Sequence, residues 1–518
     1  MRSLRQLRNL TLNPSMRGGG SPHTSEHSQN LQRSDSFLRA TTYAGLGSFL
    51  IALISYNFVD IDLWHQMALI RESLSAGHLL KADPYAYTPT VYPWIDHEWG
   101  AGAVAYFATR WFGGRALLTL KFLLALGTGF LCVQCSRARG TDFRILGLCA
   151  PLAMFLAYLG FFTAVRAQAY SFFFTALLIL FWEFDRKGSH AWIFAGLLVF
   201  PAWLNLHGGF VVGIGLMALY VVEEFFRGNP VRRLLLVLAG MCSEVFINPY
   251  GVAYVGYLRR ALTMARPYAP EWRPIWDLGA PGTIAFLVAV VIALYSVFSV
   301  GFRRAVGIFP LMATGVEAIL HRKLLPFFAI AWLCYVPFSV QQTSLGRWVV
   351  QFTLRRSRFM RMAWSVFACV CIVAAVRQKP WTLSVPQPIY PVGAVEYLAQ
   401  QDFKGNVMTP FRLGAYVSWK SFPAVKVSLD SRYEESYPDS VVQSVFRFYD
   451  AAPDWRSTLD AFPTDVVLIP RDASIARAIQ QSGWKKIYVD RQFELYARPG
   501  RALPFEDRTS ASFAGVFP

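Results

Sequence analysis

Carboxylate and imidazole side chains cluster in one stretch of the sequence, between residues 59 and 114. Asp60 and Asp62 stand two residues apart, and an Asp-His-Glu run begins further along at Asp96. A carboxylate in such a cluster can act as a general base toward a hydroxyl or an amine, or it can bind a divalent cation. Imidazole nitrogens nearby extend the choice of cation to transition metals.

The pair of aspartates favours chemistry over a purely structural role. Two carboxylates at this spacing repel each other unless a cation or a basic group joins them. The sequence does not distinguish the two, so either Asp60 or Asp62 is the candidate catalytic base. Asp60, Asp62, His97 and Glu98 are together the candidate ligands of a divalent metal cation, and no other cofactor is expected.

The composition places these residues in a membrane protein. Hydrophobic residues make up 54% of the chain and charged residues 16%, whereas soluble proteins carry about 25% charged residues. Apolar runs near the length of about 20 residues that a bilayer crossing needs predict eleven transmembrane helices. These lie at 40–58, 115–134, 145–163, 170–184, 190–207, 209–226, 234–248, 281–300, 305–320, 324–340 and 361–377.

The distribution of charge predicts the orientation. Trp99 to Gly114 is short and is flanked by tryptophans, which is typical of an interfacial helix. If this segment is not a span and the N-terminus is cytoplasmic, 15 Lys and Arg residues fall in inner loops, as the positive-inside rule requires. The net charge of +18 is then mainly a topology signal, and no nucleic acid is expected as a partner.

The chain therefore divides into three predicted parts. Residues 1–39 are polar and basic, which predicts a disordered cytoplasmic tail. Residues 40–378 form the transmembrane domain, with 59–114 as its large first outer loop. Residues 379–518 are expected to form an extracytoplasmic α/β domain. Its elements are predicted strands at 406–411, 426–429, 466–469, 485–489 and 493–497, the last two as a hairpin, and a helix at 472–481.

Later loops add polar residues to the same outer face. Basic residues on the outer face depart from the positive-inside rule. Arg166, Arg322 and Lys323 are therefore candidates for binding a phosphate at headgroup depth. The alternative is that these side chains only reach lipid headgroups. The candidates for lining a substrate cavity are His65, Asp96, His97, Glu98, Gln168, Asn205, His207 and Tyr250.

Several strings of residues resemble a bacterial branch of the GT-C class of membrane glycosyltransferases. They are Asp60-x-Asp62-Leu63-Trp64, Trp94-Ile95-x-His97-Glu98-Trp99, Asn205-Leu206-His207-Gly208-Gly209, Asn248-Pro249-Tyr250-Gly251, Leu413-Gly414-Ala415-Tyr416-x2-Trp419 and Val427-Ser428-Leu429-Asp430-Ser431-Arg432.

This resemblance implies an α-helical polytopic membrane enzyme with a GT-C-like fold. Such an enzyme moves a sugar from a polyprenyl-phosphate-linked donor to a glycan, lipid or protein acceptor on the outer face of the bacterial cytoplasmic membrane, as in cell-envelope polysaccharide biosynthesis. A first-loop carboxylate is the usual base or metal ligand of the class, and that role falls on Asp60 or Asp62. A single displacement would invert the anomeric carbon.

Three other functions remain open at this point. A flippase or transporter of lipid-linked saccharides would need polar residues along a path through the spans, whereas here they collect at one face. A polysaccharide polymerase that uses two lipid-linked substrates fits the same residues. A non-catalytic scaffold of an export complex would not require the Asp60/Asp62 pair.

Overall fold

The computed structural model describes the backbone of residues 22–518 apart from 162 and 164, and side chains from residue 34 onward apart from 162, 164, 433, 434 and 514. The predicted disordered tail falls partly outside this range. Where it is described, the chain differs from that prediction, because helix α1 begins at Pro22 and continues to Ile54. Once a helix is nucleated in an apolar segment, adding residues at its end costs little, so a polar flank can extend it.

The chain is mainly helical as far as residue 377. After α1 they are α2 (Ile61–Ala76), α3 (Trp99–Phe112), α4 (Gly114–Ala138), α5 (Phe143–Ala157), α6 (Gln168–Arg186), α7 (Ala191–Leu206), α8 (Phe210–Phe226), α9 (Arg232–Glu244), α10 (Ala253–Thr263), α11 (Ala280–Val300), α12 (Ile308–Leu320), α13 (Leu325–Gln342), α14 (Ser344–Arg355) and α15 (Ser357–Arg377).

Each of the eleven predicted spans falls on one of these helices, and the predicted interfacial segment forms α3. Within the described residues, six helical segments have the length and apolar composition needed to cross a bilayer, and α7 and α12 are shorter apolar helices. The protein is therefore a mostly helical, multi-pass membrane protein. The number of eleven spans stays a prediction.

Helix α13 lies at the centre of the helical part, where it packs against α5, α6, α11 and α12. Nearly all of its side chains are buried, as expected of a helix that is apolar on every side and sits inside a bundle. In contrast, α15 packs mainly along α1 and leaves most of its apolar side chains exposed, which is typical of a helix that faces lipid.

The C-terminal part contains a six-stranded mixed sheet with the order β3-β2-β4-β6-β5-β7, and β1 pairs separately with β8. Strand β2 runs parallel to β3 and β4, while β6 runs antiparallel to β4 and β5. The strands are β1 (Val385–Pro386), β2 (Gly405–Met408), β3 (Val425–Val427), β4 (Val466–Pro470), β5 (Lys485–Val489), β6 (Phe493–Ala497), β7 (Glu506–Asp507) and β8 (Ala514–Gly515).

The five strands predicted from the sequence are all present, within a few residues, and β5 and β6 form the expected hairpin. The predicted helix is α21 (Ile475–Gln480). Helices that the sequence did not predict flank the sheet. They are α16 (Val392–Gln400), α17 (Gly414–Ser421), α18 (Tyr433–Ser436), α19 (Asp439–Tyr449) and α20 (Arg456–Ala461).

The C-terminal domain packs tightly on the first outer segment. Trp64 of α2 is fully buried, and its ring lies 5.7 Å from that of Tyr390 and 5.1 Å from that of Tyr416 in α17. Residue 86 of the first outer segment forms a parallel bridge with β3. Because α2 is buried between α3 and α17, the residues at its N-terminus are held in a fixed position.

Candidate functional site

A cavity of about 880 Å³ lies between the C-terminal domain and the ends of several helices. One set of lining residues is polar and the other is apolar. The polar set includes Asp62, His65, His97, Glu98, Arg166, Gln168, His207, Glu271, His321, Lys323, Arg412, Ser431, Arg432 and Glu435. The apolar set includes Phe172, Val211, Val212, Leu216, Leu219, Leu258, Ala261, Leu262, Ala313, Leu324 and Phe327.

The apolar part of the cavity extends along α8. Five residues between Val211 and Leu219 line it, and at 1.5 Å per residue this stretch spans about 12 Å of the helix. Gly215 lies in the same stretch, where a Cβ atom would meet nothing within 4 Å. The cavity therefore joins a charged chamber to an apolar channel among helices of the membrane domain.

Asp60 and Asp62, which the sequence could not distinguish, occupy different positions. Asp60 is the N-cap of α2, where its carboxylate accepts a hydrogen bond from the Asp62 amide at 3.1 Å. The same carboxylate accepts from Thr163 Oγ1 at 3.2 Å and contacts Arg166 Nε at 3.2 Å. Asp60 is buried and is not among the cavity-lining residues, whereas Asp62 lines the cavity.

Asp62 has the electrostatic environment of a base. Burial and the neighbouring Asp60 carboxylate raise the pKa of Asp62 to about 8, against the opposing charge of Arg166. The Asp62 carboxylate lies 3.6 Å from Arg166 Nη2. A carboxylate whose pKa lies nearer to neutrality is a stronger proton acceptor than an ordinary one.

Arg166 and Lys323 share one carboxylate that the sequence did not single out, Glu271. Arg166 Nη2 lies 3.1 Å from Glu271 Oε2, and Lys323 Nζ lies 2.6 Å from Glu271 Oε1. Burial raises the pKa of Glu271, but the two cations outweigh this effect and hold it well below its usual range. Glu271 lies in a short 3₁₀ turn of a long loop. No local sequence pattern indicates that it belongs to the site.

Arg322 differs from its neighbour Lys323. Its Nη1 donates to the Asp277 carbonyl at 2.8 Å, and Arg322 is not among the residues that line the cavity. The two residues belong to one 3₁₀ turn, Arg322–Leu324, in which successive side chains point about 120° apart. Of the three predicted phosphate-binding residues, the structure brings Arg166 and Lys323 together and places Arg322 elsewhere.

His97 lies between two carboxylates from distant parts of the chain. Its Nδ1 is 2.5 Å from Glu435 Oε1, and its Nε2 is 3.3 Å from Glu98 Oε1. Burial by itself lowers the pKa of His97, but Glu435 and Glu98 raise it well above its usual value. Burial likewise raises the pKa of Glu98, yet the nearby His97 holds it below its usual range.

His207 is held as a neutral imidazole. The Gly209 amide donates to its Nδ1 at 2.9 Å, and Ser171 Oγ lies 2.7 Å from the same nitrogen. Its Nε2 lies 3.4 Å from Glu98 Oε1, so that nitrogen carries the proton. Glycine is required beside it because a Cβ at Gly208 would lie 2.7 Å from His97 Cδ2.

Three of the predicted cavity residues lie behind the wall of the cavity. Asn205 Oδ1 accepts from Trp99 Nε1 at 2.9 Å, which ties α7 to α3. The Tyr250 hydroxyl accepts from the Asp96 amide at 3.2 Å, and the Asp96 carboxylate accepts from the Glu98 amide at 2.7 Å. These residues position the wall, and they are not among those that line the cavity.

The other predicted cavity residues are among those that line the cavity. They are His65, His97, Glu98, Gln168 and His207. His65 Nδ1 lies 3.1 Å from Ser431 Oγ, so the C-terminal domain contributes directly to the wall of the site.

The C-terminal domain also contributes Arg432, which is buried and lies 2.5 Å from Asp83 Oδ1 and 2.6 Å from Asp430 Oδ2. The aromatic faces of Tyr85 and Trp94 cover its guanidinium. Arg432 thereby joins the first outer segment to the domain. The tail string around residues 427–432 gave the only sequence signal for it, and Glu435 had none.

The four predicted metal ligands form two groups of contacts. Asp60 and Asp62 contact the guanidinium of Arg166, and Glu98 contacts His97. Binding of a metal by these four residues stays a prediction. Within the part of the chain that the structure describes, the group of metal-ligating side chains with mutually close donor atoms is Asp96, His97 and Glu435.

No protein-family model matches the sequence, and no curated protein matches it. Among solved structures, the chain is similar to the arabinofuranosyltransferase AftD from Mycobacteria, determined by single-particle cryo-EM, with a TM-score of 0.49 and 12% sequence identity. The similarity covers 89% of this chain and 40% of that one, so this chain spans less than half of the neighbour's length.

Proposed function

We propose that the protein transfers a sugar from a polyprenyl-phosphate-linked donor to an acceptor on the outer face of the bacterial cytoplasmic membrane. The observation that carries this proposal is the union of a charged chamber and an apolar channel in one cavity. A lipid-phosphate-linked sugar has the same two parts, a long apolar chain and a charged, hydroxyl-rich head. The proposed orientation has the N-terminus in the cytoplasm and the C-terminal domain outside.

The donor's lipid chain would lie in the apolar channel along α8, from Val211 to Leu219. Its phosphate would then reach Lys323 and Arg166, which line the chamber. Arginine offers phosphate two parallel donors, and lysine offers a point charge. Both cations are paired with Glu271, so a bound phosphate would share them with that carboxylate.

Asp62 would act as the base, since it lines the chamber and has a raised pKa. Its carboxylate would take the proton of an acceptor hydroxyl while the acceptor oxygen forms a bond to the anomeric carbon. The bond from that carbon to the phosphate oxygen would break at the same time, and the lipid phosphate would leave with its electron pair. Arg166 and Lys323 would stabilise the charge that develops on the leaving oxygen. A single displacement of this kind inverts the anomeric carbon.

The test is a transfer assay with the purified full-length protein in lipid nanodiscs. A panel of radiolabelled polyprenyl-phosphate sugars is supplied with a cell-envelope extract as the source of acceptor, and release of polyprenyl phosphate is measured. We expect release with at least one donor and its loss in Asp62→Asn. The control is Asp142→Asn, since Asp142 is another aspartate at the start of a helix, as the N-cap of α5, and lies outside the cavity.

The proposal is wrong if no donor of the panel is consumed by protein that remains folded and monodisperse. It is also wrong if Asp62→Asn releases polyprenyl phosphate as fast as the parent protein. Movement of intact donor across a vesicle membrane without release would instead support the flippase alternative.

A further inference from the structure

A buried group of three side chains lies where the first outer segment meets the C-terminal domain. Asp96 and His97 come from that segment, and Glu435 comes from the short helix α18. One donor atom of each side chain lies within 4.8 Å of the others. Asp96 is fully buried, Glu435 is buried, and the His97 side chain is 15% exposed.

In each of the three side chains, one polar atom contacts a residue outside the group. The Asp96 Oδ1 atom accepts from the Glu98 amide at 2.7 Å. Glu435 Oε2 accepts from Trp94 Nε1 at 3.3 Å, and His97 Nε2 lies 3.3 Å from Glu98 Oε1. The other polar atoms, Asp96 Oδ2, His97 Nδ1 and Glu435 Oε1, are the donor atoms that can bind a cation. In this structure His97 Nδ1 lies 2.5 Å from Glu435 Oε1 and 2.8 Å from the Tyr257 hydroxyl oxygen.

A second observation points to a missing ligand at this place. Asp96 Oδ2 is inaccessible to solvent and has no hydrogen-bond partner among the described residues. A buried carboxylate oxygen without a partner is rare, because burial removes its contacts with water.

The contact between Glu98 and His97 has the form that supports metal binding. In metal sites, the ring nitrogen that does not bind the metal usually donates to a carboxylate, which fixes the orientation and tautomer of the imidazole. Here the Glu98 carboxylate contacts Nε2 of His97, and Nδ1 of His97 faces Glu435. Glu98 is itself fixed by Gln66 and by His207 Nε2 at 3.4 Å.

We propose that Asp96, His97 and Glu435 bind a divalent transition-metal cation such as Mn²⁺ or Zn²⁺. Two carboxylates and a neutral imidazole carry two negative charges, which a divalent cation neutralises. One imidazole among oxygen ligands suits these ions better than Ca²⁺ or Mg²⁺, which prefer all-oxygen sites. Binding replaces the contacts of His97 Nδ1 with Glu435 Oε1 and with the Tyr257 hydroxyl.

This site differs from the one predicted from the sequence, which combined His97 and Glu98 with Asp60 and Asp62. It joins the first outer segment to the C-terminal domain, and His97 and Glu435 also line the cavity. The proposal does not depend on the sugar-transfer reaction, and its test needs no donor.

The test measures metal binding by the full-length protein after chelation and buffer exchange. Mn²⁺, Zn²⁺, Co²⁺ and Mg²⁺ are each added back, and bound metal is quantified by mass spectrometry while the melting temperature is followed. We expect about one Mn²⁺, Zn²⁺ or Co²⁺ per chain, a higher melting temperature with metal, and weak competition by Mg²⁺. Bound Co²⁺ should give a visible absorption band that Zn²⁺ removes, which needs no variant.

Asp96→Asn and Glu435→Gln should each abolish stoichiometric binding. Glu98→Gln should weaken it about 10–100-fold, as is usual for a carboxylate that orients a ligating histidine. Glu396→Gln is the control, because Glu396 lies in α16 with a half-exposed side chain and outside the site. The proposal is overturned if the parent protein binds less than about one tenth of an equivalent at saturating metal, or if Asp96→Asn and Glu435→Gln bind metal as the parent does.

Discussion

The Asp60 carboxylate contacts Arg166 Nε at 3.2 Å while it caps the helix that carries Asp62. The Asp60 side chain thus holds the cation Arg166 in place and, by capping the helix, also positions the candidate base Asp62. Burial lowers the pKa of Arg166, but Asp60, Glu271 and Asp62 more than compensate and raise it well above its usual value. Arg166 therefore stays charged inside the protein, and the two aspartates of the Asp-x-Asp motif have different roles.

The two aspartates should respond differently to substitution. Asp62→Asn removes the proposed base and should lower the rate of polyprenyl phosphate release by about 10²–10⁴-fold, with little change in melting temperature. Asp60→Asn weakens the partner of Arg166 and should lower the melting temperature as well as the rate. Equal losses of rate with unchanged melting temperatures in both variants would contradict this division.

The pH dependence of transfer should reflect Asp62. Because burial and Asp60 raise its pKa to about 8, and because a base works only when deprotonated, the rate should rise with pH through this range and fall on acidification. The measurement is the release rate at saturating donor between pH 5 and pH 10. A rate that stays constant down to pH 5 would show that no group with a raised pKa serves as the base.

Lys323 and Arg322 are adjacent cations that allow a matched comparison. Lys323→Ala removes a cation that lines the cavity, so the KM for the donor should rise about tenfold or more, as expected for loss of one charged contact. Arg322→Ala should leave the KM unchanged, since its guanidinium contacts the Asp277 carbonyl. An equal rise in both variants would indicate a general effect of surface charge.

The apolar channel can be filled from Gly215. Gly215 lines the channel, and a leucine there has room for its side chain because no atom lies within 4 Å of the added Cβ, so it should impede binding of the lipid chain. We expect Gly215→Leu to raise the KM for long-chain donors more than for short-chain analogues. Gly47→Leu is the control, since Gly47 in α1 is equally open and lies outside the cavity.

Arg432 should be essential for the attachment of the C-terminal domain. Arg432→Met leaves Asp83 and Asp430 as buried, uncompensated carboxylates, and loss of one partner of a buried ion pair costs about 3–5 kcal/mol. The melting temperature of the purified protein should fall sharply. Arg447→Met is the control, because the Arg447–Asp454 pair is exposed and its loss should leave the melting temperature nearly unchanged.

The spans and most strands could be predicted from the sequence because their signals are local. A bilayer crossing needs a continuous apolar run, and each of the eleven runs forms a helix here. The strands β2 to β6 follow short apolar, β-branched stretches between turn residues. The Asp60 cap is likewise local, since the carboxylate bonds an amide two residues away.

The composition of the site was decided by the tertiary structure. Glu271 and Glu435 have no distinctive neighbours in the sequence, yet Glu271 pairs with Arg166 and Glu435 pairs with His97. Asp60 and Asp62, or Arg322 and Lys323, are close in sequence but point in different directions, because a helix start and a 3₁₀ turn rotate successive side chains apart. Local patterns constrain a segment only along its own length. The cavity is made by side chains more than 100 residues apart, so their proximity follows from packing.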